Sequence, residues 1–172
     1  KCTPTDKSAV ILGNKDWSSP ENKGFACALN KSENTGEQPW TANLGDGSIP
    51  LNWNSPENNA NSISDNNWHF VAVSCDRGGK MDIYSDGKLL AGSLDMSLFT
   101  GSIDDNSKKY PITLMQDGTG TNSNDLPGYI DEVRIWNRPL TAAEVSKIYE
   151  TDTLGKGSEI VYLPLDNDLK DA

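Results

Sequence analysis

Short apolar stretches, each only a few residues long, recur from one end of the chain to the other, separated by Gly, Asn, Asp, Ser and Pro. That spacing predicts an antiparallel all-β sandwich. Strands are expected near Ala9-Gly13, Gly24-Asn30, Trp40-Leu44, Ile49-Asn52, Trp68-Asp76, Lys80-Ser85, Lys88-Ser93, Ile112-Met115, Tyr129-Trp136 and Glu159-Leu163. In Trp68–Cys75, the residues Trp68, Phe70, Ala72 and Ser74 point one way, and His69, Val71, Val73 and Cys75 the other. Both rows are largely apolar, which places this strand centrally in its sheet. Arg77-Gly78-Gly79 and Asp86-Gly87 predict hairpin turns in which glycine supplies a positive φ.

One helix is expected. After Pro139 the chain offers Thr141 as N-cap and Glu144 three residues later, a capping box that satisfies two otherwise orphan backbone donors. Val145, Ile148 and Tyr149 share one side and predict packing against the sandwich.

Composition narrows the partners. A chain of 172 residues, 35% hydrophobic with 5 Trp, supports one domain around one core. Its net charge of −10, with no Lys/Arg patch, argues against nucleic acid and against docking on anionic membranes. No apolar run approaches the roughly 18 to 20 residues of a membrane span, and no charged-then-apolar leader opens the chain. The 3 cysteines, Cys2, Cys27 and Cys75, lack Cys-x-x-Cys spacing, so a zinc site is not expected. They are either small buried strand residues or include a Cys27–Cys75 bridge.

Four pieces of sequence, taken in order, carry a family resemblance. They are Gly13-Asn14-Lys15-Asp16-Trp17 with Gly24-Phe25, Trp68-His69-Phe70-Val71-Ala72-Val73, Ile83-Tyr84-Ser85-Asp86-Gly87-Lys88, and Gly128-Tyr129-Ile130-Asp131-Glu132-Val133-Arg134-Ile135-Trp136-Asn137. Together they resemble the laminin G-like jelly-roll domains of the concanavalin A-like lectin/glucanase superfamily, with pentraxins as a more distant relative. The resemblance implies an all-β, antiparallel two-sheet jelly-roll sandwich with one short C-terminal helix. It departs from the family at the ends. Lys1-Cys2 looks like the tail of a strand that precedes it, and the opening-type sequence Val161-Tyr162-Leu163-Pro164-Leu165-Asp166 stands at the C-terminus. Residues 1–150 are therefore expected to form a jelly-roll lacking its usual first strands, and 151–158 a connector. Residues 159–172 form a terminal strand that either closes the same sandwich or opens a next module.

Candidate chemistry falls in three places. Asp131 is expected mid-strand among apolar residues, where a charge needs a partner such as Arg134 or a metal. The resemblance implies a structural calcium ion there, with oxygens from Asp166 and Asn167 helping to complete the shell. Met115-Gln116-Asp117-Gly118 resembles the place where pentraxins carry a Gln-Asp pair for ligand binding, with Asn14 and Asp16 where that site draws further oxygens. Met115 replaces the family's acidic residue, and Asp117-Gly118 also reads as a plain turn. Trp40 and Trp53 lie in polar, Asn-rich surroundings and are the candidates for stacking on a sugar ring, while Trp68 and Trp136 are expected in or half in the core and Trp17 at the sandwich edge.

A glucanase on this sandwich would need carboxylates alternating on one strand that faces a cleft. No such run occurs, and Asp166-x-Asp168 is the nearest spacing. His69, the single histidine, sits in an expected strand, where a packed or hydrogen-bonded role is expected over general-base chemistry. The expected function is a non-catalytic carbohydrate-binding module of a larger extracellular or cell-surface protein, with a glycan or polysaccharide as partner. A protein-interaction or adhesion module is the second reading and a glycoside hydrolase the third.

Overall fold

The computed structural model describes residues 1–3, 8–18, 22–30, 40–54, 62–90, 93–104, 110–120, 126–152 and 159–165. Within them the strands in chain order are β1 Ala9–Gly13, β2 Gly24–Leu29, β3 Trp40–Gly45, β4 Pro50–Asn54, β5 Val71–Cys75, β6 Lys80–Ser85, β7 Lys88–Leu89, β8 Leu94–Asp95, β9 Thr113–Leu114, β10 Val133–Trp136 and β11 Glu159–Leu163. One helix, α1 Ala142–Thr151, stands between β10 and β11. The all-β sandwich and its single helix are as the pattern predicts.

Five strands form one antiparallel sheet in the order β4-β3-β2-β1-β9. Backbone hydrogen bonds carry this surface beyond β9. Met115 N–H donates to Ile11 O (2.8 Å), Leu126 N–H to Met115 O (2.9 Å), Thr3 N–H to Pro127 O (2.8 Å) and Asn66 N–H to Cys2 O (3.0 Å). Cys2 and Gly128 form an antiparallel bridge within this extension. The facing layer holds β5-β6-β7 with β8 paired to β6, and β10 pairs with β11.

Alternation in the strands builds the core. Trp40, Ala42 and Leu44 of β3 point inward with Ile11, Leu29 and Trp53, and meet Met81 and Ile83 of β6 together with Leu90, Met96 and Phe99. Each large apolar side chain fully buried this way contributes about 1.5–3 kcal/mol. The other face of β5 and β6 carries Phe70, Ala72 and Tyr84, and α1 covers it with Val145 and Ile148. Tyr149 is half exposed, tilted against Phe70 at 5.8 Å between ring centroids.

Both helix ends are closed by side chains. The Thr141 hydroxyl accepts from Glu144 N–H (3.3 Å), and the Glu144 carboxylate accepts from Thr141 N–H (2.8 Å). The last turn has no basic residue of its own. Arg134 of β10 supplies one, donating to Asp152 O (3.0 Å) and to the Asp152 carboxylate (2.9 Å), where a cation complements the helix dipole. Its guanidinium also stacks 4.4 Å from the ring centroid of Tyr162, which lies opposite it on β11.

Several boundaries differ from expectation. The strand expected from Trp68 begins at Val71, because the Asp86 carboxylate takes the Phe70 N–H (3.0 Å) in place of a ladder bond. The strand expected from Tyr129 begins at Val133, after Glu132 turns the chain with φ 52°. The short β8 is additional. In the Asp76–Lys80 turn neither Gly78 nor Gly79 uses the left-handed region. The turn is closed instead by Asp76, whose carboxylate accepts from Gly78 N–H (3.1 Å) and whose carbonyl accepts from Gly79 N–H (3.0 Å). The second turn is as predicted, with Asp86 at φ 50° and Gly87 at φ 75°. The three cysteines are free thiols rather than bridged, and burial pushes Cys27 up to about 12 and Cys75 up to about 11.

Thr141→Ala is expected to cost about 1 kcal/mol by removing the cap, read as a lower urea midpoint at unchanged slope. Thr141→Asp is expected to restore it.

Candidate functional site

Two loops distant in sequence meet beside the five-stranded sheet: 14–18 after β1 and 115–120 after β9. The Asn14 carboxamide oxygen accepts from Phe25 N–H (2.9 Å), and Asn14 N–H donates to Phe25 O (3.0 Å), which locks the first loop to β2. Gly118 N–H donates to Lys15 O (3.0 Å) and joins the second loop to the first. Only glycine permits that approach, since a Cβ at position 118 would stand 2.6 Å from the carbonyl carbon of Asn14.

Asp117 lies beneath this junction with 0% exposure. One carboxylate oxygen accepts from Thr119 N–H (3.1 Å) and the Thr119 hydroxyl (2.6 Å), the other from Trp17 N–H (3.3 Å). Asp16 likewise receives Ser18 N–H (2.9 Å) and the Ser18 hydroxyl (2.5 Å) on one oxygen. The structure thus gathers Asn14, Asp16, Gln116 and Asp117 in one pair of loops. Asp117-Gly118 is a turn, and its carboxylate serves the fold.

The outer face of the sheet continues this site. Across it the register sets Ala26 beside Asn43 and Asn43 beside Asn52, with Ala28, Thr41 and Asn54 in the next row. Fully buried Lys15 reaches over this face, its ammonium donating to the Asn43 carboxamide oxygen, while the Asn43 amide donates to Asn52 Oδ1 and to Leu51 O (3.3 Å). Val10, Ala26 and Ala28 make a low apolar floor on which Trp17 packs. Asn52 and Asn54 remain exposed. Asn43 and Thr41 are buried and already paired, so the groups this face can offer to a ligand are the amides of Asn52 and Asn54.

Trp40 and Trp53, expected as exposed platforms, are core residues at 0% and 6% exposure and offer no face to a ligand. The polar residues around them, Thr41, Asn43, Asn52 and Asn54, are the alternate positions of the same two strands and point to the opposite face. Asp131 is exposed and precedes β10; its carboxylate accepts from the neighbouring Glu132 N–H (3.0 Å). The ion pairs to Arg134 come from Glu132 and Asp152, each at 2.9 Å.

Asp166 and Asn167 lie outside the described residues. Among the described residues no three His, Cys, Asp or Glu side chains cluster to hold a metal ion. Oxygens of Asn14, Asp16 and Asp117 accept N–H and O–H donors from their own loops and from β2.

Trp68, expected in or half in the core, is 58% exposed. Beside it His69 bridges two carboxylates, Nδ1 to Asp86 (2.9 Å) and Nε2 to Asp65 (3.0 Å). Burial alone lowers its pKa, but the hydrogen bonds to Asp86 and Asp65 outweigh this and leave it above the ordinary 6.5. A hydrogen-bonded histidine agrees with expectation, although it precedes β5 rather than lying within it. The signal for the exposed tryptophan is Asp65-Asn66-Asn67, an Asx-turn sequence that breaks the strand before it starts. Elsewhere, a shallow depression lined by Arg77, Phe99 and Gly101 is closed by the Arg77 guanidinium, 5.5 Å from the Phe99 ring centroid and donating to Gly101 O.

A laminin G family model, described as Concanavalin A-like lectin/glucanases superfamily, matches residues 3–146. No curated protein matches the chain.

Two outcomes are expected. Trp40→Ala is expected to lose about 3–5 kcal/mol of stability in urea unfolding, as a core deletion does; a stable variant would return Trp40 to the surface. Because the folded pKa of His69 is raised, its stabilisation is complete below 6.5 and lost as pH rises through the folded value. The melting-temperature gap between the parent chain and His69→Gln should therefore shrink from about pH 5.5 to about pH 9. A constant gap would remove the ionic role.

Proposed function

The chain belongs to the concanavalin A-like lectin/glucanase superfamily, and from that premise we propose that it is a non-catalytic carbohydrate-binding module of a larger secreted or cell-surface protein. The observation that carries the proposal is the outer face of the five-stranded sheet. Exposed Asn52 and Asn54 of β4 stand beside buried Asn43 and Thr41 of β3, and half-buried Trp17 packs farther along the same face on Val10, Ala26 and Ala28. Sugar hydroxyls pair with amides of this kind while apolar C–H faces lie against the aromatic flank.

The non-catalytic part rests on Asp117. A glycosidase acid or nucleophile must reach the scissile bond from a cleft. Asp117 is buried, with both oxygens already accepting. The proposal assigns no role to calcium. A protein-interaction role is favoured by one observation, the exposed Ile160 and Tyr162 on β11.

Titration against a panel of soluble polysaccharides is expected to find a ligand. Asn52→Ala and Asn54→Ala should each weaken it by about fivefold to tenfold, the worth of one hydrogen bond of about 1 kcal/mol. Unchanged affinity in the double variant would move the site off this face.

A further inference from the structure

Trp68 stands on a surface that the outer-face site does not use. Its segment is held on both sides. Asn66 N–H donates to Cys2 O (3.0 Å), the Asp65 carboxylate accepts from Asn67 N–H (2.8 Å) and from the Asn67 side-chain amide (2.8 Å), and the His69 bridge ties Asp65 to Asp86. Phe70 is pinned in turn, with N–H donating to Asp86 Oδ1 (3.0 Å) and O accepting from Asp86 N–H (2.8 Å).

Leaving an indole in water forgoes its burial energy, and fixing the loop beneath it costs chain entropy. Both costs are borne here at once. The result is an exposed indole on an anchored backbone, which lowers the ordering cost of a stacking ligand.

The surroundings select the ligand. Asp65, Asn66 and Asn67 are exposed and polar, while Phe70 packs toward the helix layer. A protein partner would call for a broad apolar patch of several hundred Å². An exposed indole that follows exposed Asp65, Asn66 and Asn67 in the chain instead matches a pyranose, with one apolar C–H face and a hydroxyl-bearing edge. We propose that Trp68 is the stacking platform for a pyranose ring of a glycan, with Asn66 and Asn67 as partners for its hydroxyls. This rests on the carbohydrate reading and places a subsite at the edge of the hydrogen-bonded surface, beyond β9 and the N-terminal residues.

The test uses the full chain and the polysaccharides that it binds. In nitrogen–proton spectra the 5 tryptophans give separate indole signals, and that of Trp68 is assigned by its loss in Trp68→Phe. Glycan addition should move the Trp68 signal and leave those of Trp40 and Trp53 in place. Trp68→Ala should weaken binding about tenfold, with Trp68→Phe retaining most of it. Glycan binding with an unmoved Trp68 signal, or unchanged affinity in Trp68→Ala, overturns this inference and leaves the outer-face reading standing. A parent chain that binds no glycan overturns both. Should Trp68→Ala fail to fold, the indole signal of the parent chain decides the question alone.

Discussion

A sandwich of short strands must satisfy many backbone N–H groups that belong to no ladder, and this chain meets that demand with aspartate. Asp16, Asp46, Asp65, Asp76, Asp95 and Asp117 each accept the N–H of the residue two positions on. The bonds favour the ionised carboxyl, so Asp65 is held at about 2, chiefly by the Asn67 side chain, and Asp46 and Asp95 also fall below their ordinary value. Six of the 25 acidic side chains thus serve loop closure.

Asp117 extends the same device across the fold. Its second oxygen reaches Trp17, so a single buried carboxylate fixes two loops whose strands lie far apart in sequence. Burial of such a group is tolerable only because both oxygens are hydrogen-bonded. Trp17 is thereby set on the floor of Val10, Ala26 and Ala28, and the geometry of the outer face follows from a loop bond rather than from the sheet alone.

Strand positions and the capped helix were legible because alternation and capping are local signals. Burial on each face was not. Trp40 and Trp53 looked solvent-exposed through their asparagine neighbours, yet a period of two sends those neighbours to the opposite face, and nothing local says which face is the core. Asp131 looked buried for the converse reason, since the turn at Glu132 interrupts the run that seemed to enclose it. The meeting of Asn14 and Asp16 with Gln116 and Asp117 could be inferred only through family resemblance, because the bonds that join them span about a hundred residues of chain.

The layering narrows where recognition can occur. On one side α1 seals the sheet of β5 and β6, and Arg134 secures that seal by joining the helix C-terminus to β10 and to Tyr162. The interior is filled by Trp40, Trp53 and Phe99. Among the described residues, exposed Asn52 and Asn54 stand on the outer face of the five-stranded sheet, and exposed Asn66 and Asn67 precede Trp68 along its extension. A ligand held there meets groups already ordered by the fold, and binding need not supply the entropy of arranging them.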